Sequence, residues 1–200
     1  MWYAAKTGVA RVGLSRTTLM QTFVVLLRGI NVGSTRKVPM ANLRALCLRL
    51  GWQRPETYIQ SGNLIVGAQG DAQRVRRVLE PALAASFGFA IDVIVRTGAE
   101  WECYVAANPF ADDAAALGKM VHLYLSRDRL AARAADLLKE RAQTGERVCV
   151  AGAALWIDYG ASGVAGSKLT PSLIDKACGS PTTGRNWNSV LKLRDMLVTH

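Results

Sequence analysis

A basic loop containing two glycines lies near residue 30. Arg28 and Lys37 bracket this loop, and Gly29 and Gly33 allow its backbone to turn with positive φ. An apolar run precedes the loop and an amphipathic run follows it, so we expect a strand-to-helix connection. Backbone amides near a helix start can hold an anion, and the two cations would add charge. The alternative is a structural loop in which Asn31 hydrogen-bonds to its own backbone.

The spacing of the glycines disfavours two familiar phosphate-binding motifs. A Walker A loop requires GxxxxGK followed by serine or threonine, and a dinucleotide-binding loop requires GxGxxG. The loop has neither pattern. An NTPase or a dinucleotide-binding function is therefore poorly supported.

A second polar segment surrounds a predicted turn at Gly62. It contains Tyr58, Gln60, Ser61 and Asn63. Amide and hydroxyl side chains at this density could bind a ligand. Asparagine and glycine are, however, common in turns for conformational reasons alone, and tyrosine suits a half-buried sheet position.

A third polar segment begins the last predicted helix, with Arg185, Asn186, Trp187 and Asn188 in succession. In a binding site, Arg185 would contact a phosphate or carboxylate and Trp187 would stack on a base. In a structural role, Trp187 would pack the helix and Asn186 would cap it. Lys168, which follows a Gly-Ser pair, could join the same site.

Catalytic and metal-binding sets are hard to assemble from this composition. His122 lies inside a predicted strand and His200 is the last residue, so a serine or cysteine nucleophile lacks its usual base. The four cysteines form no CxxC pair, and we predict no metal, no cofactor and no disulfide framework. The sequence leaves open whether the protein is an enzyme. The reduced cysteines fit a cytoplasmic location.

The chain of 200 residues has a formal net charge of +10, which favours polyanionic partners. The basic residues are spread along the chain, however, and an arginine- and alanine-rich composition can produce this excess without function. We expect a soluble protein without membrane contact, because no apolar run approaches the roughly 18 residues of a membrane span. Residues 1–19 are basic and lack the apolar core of a signal peptide. We interpret them as a disordered or mis-started tail, with Met20 as the functional start.

Hydrophobic periodicity in the first half predicts the order β-α-β-β-α-β. The predicted elements cover residues 22–27, 40–50, 57–60, 64–66, 72–87 and 91–95. This order defines the ferredoxin-like unit, an α/β plait with an antiparallel four-stranded sheet and two helices on one face.

The second half repeats the order β-α-β-β-α after a short helix or connector at residues 100–107. The predicted elements cover residues 120–125, 131–141, 147–150, 154–157 and 169–178, with a final helix at 187–197. Residues 180–185 replace the fourth strand or form a very short one. We therefore predict an α+β protein of two ferredoxin-like subdomains in tandem, at residues 20–98 and 99–200, with an extra C-terminal helix.

The amino-acid sequences of four segments are specific to one protein family. The segments are FVVLLRGINVGSTRKVPMANLRALCLRLGW, TYIQSGNLIV, GSKLTPSLIDKACG and TTGRNWNSVLKL. Together they resemble the bacterial family called domain of unknown function 1697, over roughly residues 20–197. The resemblance implies two ferredoxin-like subdomains and marks the polar segments, but it implies no reaction. Ser34 stands where a second glycine is usual, and Gly184 interrupts the usual run into Arg185. We expect the first loop to be slightly stiffer and the last segment slightly more flexible.

Three hypotheses follow. The favoured one is a module that binds nucleic acid or a phosphorylated small molecule through basic loops, because the central strands lack the aromatic pattern of RNA-binding sheets. The alternatives are a small-molecule enzyme with its site at the subdomain junction, and polar segments that are purely structural. The candidate ligand-binding residues are Arg28, Gly29, Asn31, Gly33, Lys37, Tyr58, Gln60, Ser61, Asn63, Lys168, Arg185, Asn186, Trp187 and Asn188.

Overall fold

The computed structural model describes residues 19–113 and 118–200, so the predicted tail lies outside the described residues except for Leu19. The first half contains β1 (Met20–Leu27), α1 (Met40–Arg49), β2 (Gln53–Tyr58), β3 (Asn63–Gln69), α2 (Ala72–Phe87) and β4 (Val93–Thr97). The second half contains α3 (Gly98–Ala106), β5 (Val121–Ser126), α4 (Ala134–Lys139), β6 (Arg147–Ala151), β7 (Ala154–Asp158), the single turn α5 (Gly163–Gly166), α6 (Pro171–Cys178), β8 (Thr182–Asn186) and α7 (Trp187–Thr199).

The strands form two antiparallel sheets of four strands each, in the orders β2-β3-β1-β4 and β6-β7-β5-β8. Both orders are those of the ferredoxin-like unit, and the predicted fold is confirmed. None of the helices in the described ranges combines the length and the hydrophobicity that a bilayer span requires.

The strand β8 is longer than the sequence pattern predicted. It pairs with β5 over its whole length, from His122 opposite Asn186 to Ser126 opposite Thr182. Gly184 lies inside this strand, under the ring of Tyr124. A Cβ atom at position 184 would stand 2.6 Å from Tyr124 Cε1. The glycine therefore makes room for an aromatic ring, and it is not the flexible point that we expected.

The strand β1 is buried on both of its faces from Phe23 to Leu27, which explains the uninterrupted apolar sequence of this part. Phe23 and Val25 belong to a core with helices α1 and α2. Val24 and Leu26, which point the other way, belong to a different core. The first sheet is thus a middle layer of the molecule.

The second core is shared by the two subdomains. Leu26 of the first sheet packs in one cluster with Leu123 and Trp156 of the second sheet, and with Trp101 of α3. The Trp101 indole nitrogen also donates to the Val190 carbonyl oxygen of α7 at 3.1 Å. A third core lies between the second sheet and the helices α4 and α6. Each sheet is therefore covered on both faces.

Candidate functional site

The three polar segments meet at the turn between β2 and β3. The carbonyl oxygen of Gly62 accepts from the Leu27 backbone amide at 2.8 Å. The carbonyl oxygen of Gln60 accepts from Asn31 Nδ2 at 2.8 Å. The carbonyl oxygen of Ser61 accepts from Arg185 Nη2 at 3.0 Å. The loop after β1, this turn and the strand β8 are thus joined by direct hydrogen bonds.

Arg185 is buried, with 9% of its surface exposed. Its Nε donates to the side-chain oxygen of Asn63, and one Nη donates to Thr183 Oγ1 at 2.7 Å and to the Gly184 carbonyl oxygen at 2.8 Å. The other Nη donates to the Leu27 carbonyl oxygen at 3.2 Å as well as to Ser61. Burial lowers the pKa of the guanidinium to about 10, so it remains charged at neutral pH. All five donors of this side chain are used, and the bonds to Leu27, Ser61 and Asn63 connect the two subdomains.

The side-chain amides of Asn31 and Asn63 form hydrogen bonds to the backbone of the loop and of the turn. Asn31 Nδ2 also donates to the Val38 carbonyl oxygen at 3.0 Å, and Asn31 Oδ1 accepts from the Val38 amide at 2.9 Å. Asn63 Nδ2 donates to the Tyr58 carbonyl oxygen at 3.1 Å and to Ser61 Oγ at 3.0 Å. These two side chains fix the shape of the loop and the turn.

The turn holds a strained residue at its exposed tip. Ile59 has φ of 51°, a left-handed conformation that a β-branched side chain rarely adopts. Hydrogen bonds to the carbonyl oxygens of the surrounding turn residues over-determine this conformation. Ile59 is nevertheless 52% exposed, so packing does not explain why the strain is kept.

A cavity of 380 Å³ lies between the loop and the turn. It is lined by Asn31, Lys37, Val38, Pro39 and Gln60. Lys37 is the charged residue of this lining, and its Nζ donates to the Gly33 carbonyl oxygen at 2.8 Å. The lining can therefore offer an ammonium group and an exposed amide to a ligand.

The other basic residues of the loop point away from this cavity. Arg28 forms an ion pair with Asp175 and donates to the Thr182 carbonyl oxygen at 2.9 Å. Arg36 donates to the Gly29 carbonyl oxygen at 2.7 Å and stacks 4.7 Å from the centre of the Phe89 ring. Both guanidinium groups are thus held by the protein itself.

The glycines of the loop, Gly29 and Gly33, have positive φ of 61° and 60° and open space at the Cβ position. Ser61 is exposed beside the cavity, whereas Tyr58 is half-buried against the shared core. None of these four candidates is a lining residue of the cavity.

The remaining candidates do not line the cavity. Asn186 caps α7 by accepting from the Ser189 amide at 2.9 Å. Trp187 is buried in the shared core, 5.8 Å from Trp156 between ring centres. Asn188 is exposed on the first turn of α7. Lys168 donates to Gln143 Oε1 at 3.1 Å.

The sequence analysis did not identify the apolar residues around the cavity between the loop and the turn. Val32 is 71% exposed in the loop, and Ile59 stands at the tip of the turn. Val38 and Pro39 line the cavity. The available signal was a branched aliphatic residue inside each of the first two polar segments, Val32 and Ile59.

Burial favours the neutral forms of His122, Cys47 and Cys178. Burial lowers the pKa of His122 because it disfavours the charged imidazolium. Burial also raises the pKa of the Cys47 and Cys178 thiols to about 12. Among residues 19–113 and 118–200, no group of three or more His, Cys, Asp and Glu side chains is placed to hold a metal ion.

Comparison with known proteins places the chain in a family without assigning an activity. The conserved bacterial protein SP0830 from Streptococcus pneumoniae has a similar structure, with a TM-score of 0.69 and 21% sequence identity. The similarity covers 90% of this chain and 99% of that chain, and at this identity it shows the fold alone. Among curated proteins, none matches this sequence. Residues 20–156 match the model of the family described as "Protein of unknown function (DUF1697)", and the chain therefore belongs to this family.

Proposed function

We propose that this chain binds single-stranded nucleic acid on a surface formed by residues 31–37 and 58–62, which we call the loop rim. The observation that supports the proposal is a strained turn held in place next to a cavity that contains Lys37. Rigid loops lose little conformational entropy on binding, so a preorganised rim favours affinity. The net charge of +10 would attract a polyanion to the molecule.

The exposed side chains of the rim fit the parts of a nucleotide. Lys37 would contact a phosphate as a point charge. The amide of Gln60 and the hydroxyl of Ser61 could hydrogen-bond to the edge of an unpaired base. Val32 and Ile59 would pack against base faces. The rim has no aromatic platform, so we expect modest sequence preference and a strong dependence on salt.

Binding through the loops also agrees with the layered fold. Ferredoxin-like domains that bind RNA use an exposed sheet face with aromatic residues. Both faces of both sheets are covered here by helices or by the other subdomain. Contact through loops is a route to a nucleic acid that the covered sheet faces leave open.

The alternative of a small-molecule enzyme built from the three polar segments has less support. It would need the side chains of Arg28, Asn63 and Arg185 to face a ligand. Each of these is engaged in hydrogen bonds or ion pairs within the protein.

Fluorescence anisotropy with a labelled single-stranded RNA of about 12 nucleotides, and with the matching DNA, tests the proposal. We expect Kd values of about 10⁻⁴ to 10⁻⁶ M that weaken as salt rises. Lys37→Gln should lower the slope of log Kd against log salt by about 0.7, the value for one phosphate contact on a single strand.

The matched control is Lys192→Gln, which changes an exposed lysine on α7. It should keep the slope of the unmodified protein. Absence of binding at about 25 mM salt, or the same slope for both variants, would reject the loop rim as a nucleic-acid surface.

A further inference from the structure

We propose that a second, separate site at the subdomain junction binds a phosphorylated small molecule with an apolar body, of the chemical class of a nucleoside monophosphate. The site is lined by four arginines, and we call it the arginine groove. These arginines are Arg76, Arg96, Arg127 and Arg129. None of them belongs to the loop rim or to the polar segments that the sequence marked.

The groove consists of two adjoining cavities of 240 and 520 Å³ that share Arg96, Arg127 and Asp128 in their linings. Residues of α2, β4 and α3 form one side, and the loop after β5 and the β6–β7 hairpin form the other. The walls therefore come from both subdomains. Clefts at such junctions, with volumes of several hundred Å³, are the usual place for small-molecule sites.

Two of the arginines are already balanced by carboxylates. Arg76 pairs with Asp128 at 3.2 Å. Arg127 pairs with Glu80 at 2.9 Å and with Asp92 at 3.3 Å. Glu80 and Asp92 line neither cavity, so they bind Arg127 on the side that faces away from the groove.

The other two arginines form no ion pair among the described residues. Arg96 donates to the Tyr104 hydroxyl at 3.0 Å and to the carbonyl oxygens of Val95 and Ser126, all of them neutral acceptors. Arg129 is exposed and forms no ion pair within residues 19–113 and 118–200. Each of these guanidinium groups retains donors for the oxygens of an anion.

The lining contains two carboxylates, Glu100 and Asp128, against its four arginines. The Glu100 carboxylate accepts from the Thr97 amide at 2.7 Å and from the Thr97 hydroxyl at 2.9 Å, as part of a capping box. The Asp128 carboxylate forms an ion pair with Arg76. In addition, Arg127 Nε is buried and has no hydrogen-bond partner among the described residues. Arg96 and Arg129 therefore keep N–H donors for an anion, while Glu100 keeps its negative charge in the lining.

The opposite wall of the larger cavity is apolar. Leu130, Ala131, Ala132, Val150 and Ala153 form it, and Val150 is 41% exposed on the edge strand β6. A bare phosphate ion would leave this wall uncovered. A molecule with a phosphate at the arginines and an apolar or flat body against the wall would satisfy both sides, because planar guanidinium groups match phosphate oxygens in a fork geometry.

Isothermal titration calorimetry with adenosine monophosphate, inorganic phosphate and adenosine tests the site. We expect binding of the monophosphate and roughly tenfold weaker binding of either fragment. Inorganic phosphate would contact only the arginines, and adenosine would contact only the apolar wall. Arg129→Ala should weaken monophosphate binding by roughly tenfold, which corresponds to the loss of a charge-assisted contact. Arg133→Ala is the matched control, because Arg133 is exposed nearby and lines neither cavity. It should change binding by less than about twofold.

Val150→Glu gives an independent check on the apolar wall. The side chain is on an exposed edge position, so the substitution should leave thermal unfolding nearly unchanged while it repels the ligand. No binding of the monophosphate at about 5 mM, or equal affinities for Arg129→Ala and Arg133→Ala, would overturn the proposal. Weakening by Lys37→Gln would also overturn it, because the ligand would then occupy the loop rim. Nucleic-acid binding at the loop rim can succeed or fail independently of these outcomes.

Discussion

Arginine has three different roles around the loop rim, and the surroundings of each side chain decide which one it takes. Arg185 is buried and donates to five neutral oxygens of the two subdomains. Arg28 is half-buried and paired with a carboxylate, whereas Arg36 lies on an aromatic ring at the surface. A charge in the interior is costly unless it is fully hydrogen-bonded, and Arg185 meets that condition.

Arg185→Met should destabilise the protein by about 3 kcal/mol in urea unfolding. Methionine has a similar length but no donors, so the buried oxygens of Leu27, Ser61 and Asn63 would lose a partner. The gain from removing a buried charge offsets part of this loss, which keeps the effect below the sum of five hydrogen bonds.

Arg194→Met is the matched control for this change. Arg194 lies on the outer side of α7 and bonds only to its neighbour Asp195 in the described chain. Its free energy of unfolding should change by less than about 0.5 kcal/mol. Equal effects of the two substitutions would show that the buried guanidinium does not connect the subdomains.

At the scale of elements, the turn between β2 and β3 is built around one glycine. Gly62 has φ of 77°, and a Cβ atom there would stand 2.7 Å from Leu27 Cβ and 2.8 Å from Ile30 Cδ1. Any side chain would push the turn away from β1. The loop rim would then lose the shape that the hydrogen bonds to the turn maintain.

Gly62→Ala and Gly33→Ala form a matched pair that separates conformational strain from a steric clash. Both glycines have positive φ, but Gly33 has no atom within 4 Å of its Cβ position. We expect a loss of about 1 kcal/mol for Gly33→Ala and at least about 3 kcal/mol for Gly62→Ala, measured by chemical denaturation. Similar losses for the two variants would mean that the turn can shift away from β1 at little cost.

The whole molecule is organised around the core between the two sheets. Leu26, Ile65 and Ile94 of the first sheet pack in one cluster with residues of the second sheet and with helices α3 and α7. The first subdomain alone would expose this apolar face to water. The two ferredoxin-like units should therefore behave as one cooperative unit rather than as independent domains.

We expect a single unfolding transition in urea, with coincident curves from tryptophan fluorescence and far-UV circular dichroism. Leu26→Ala should move both curves together and cost about 3 kcal/mol, because Leu26 is fully buried between the sheets. Leu48→Ala, at a position 58% exposed on α1, should move them little. Two separated transitions in the unmodified protein would contradict the shared core.

Local patterns were sufficient to predict most elements of this fold. The helix α2 has the predicted bounds, because its apolar period of three to four residues is a local pattern. The structure adds an N-cap at Asp71 and a left-handed Gly88 at its end. The strand β8 was underestimated because its residues, Thr182–Asn186, do not alternate between apolar and polar. Its strand conformation comes from pairing with β5, and Gly184 is explained only by the ring of Tyr124 above it.

Sequence patterns predicted most of the element order, the family resemblance and the polar segments around the candidate site. The folded structure was needed to show which of those residues face solvent and which hold the loops in place. The physical reason is that the deciding hydrogen bonds join residues far apart in the chain: Arg185 reaches Leu27 across 158 positions and Ser61 across 124. The same contacts hold the basic loop in place. Lys37 is then the charged residue that lines the cavity beside it.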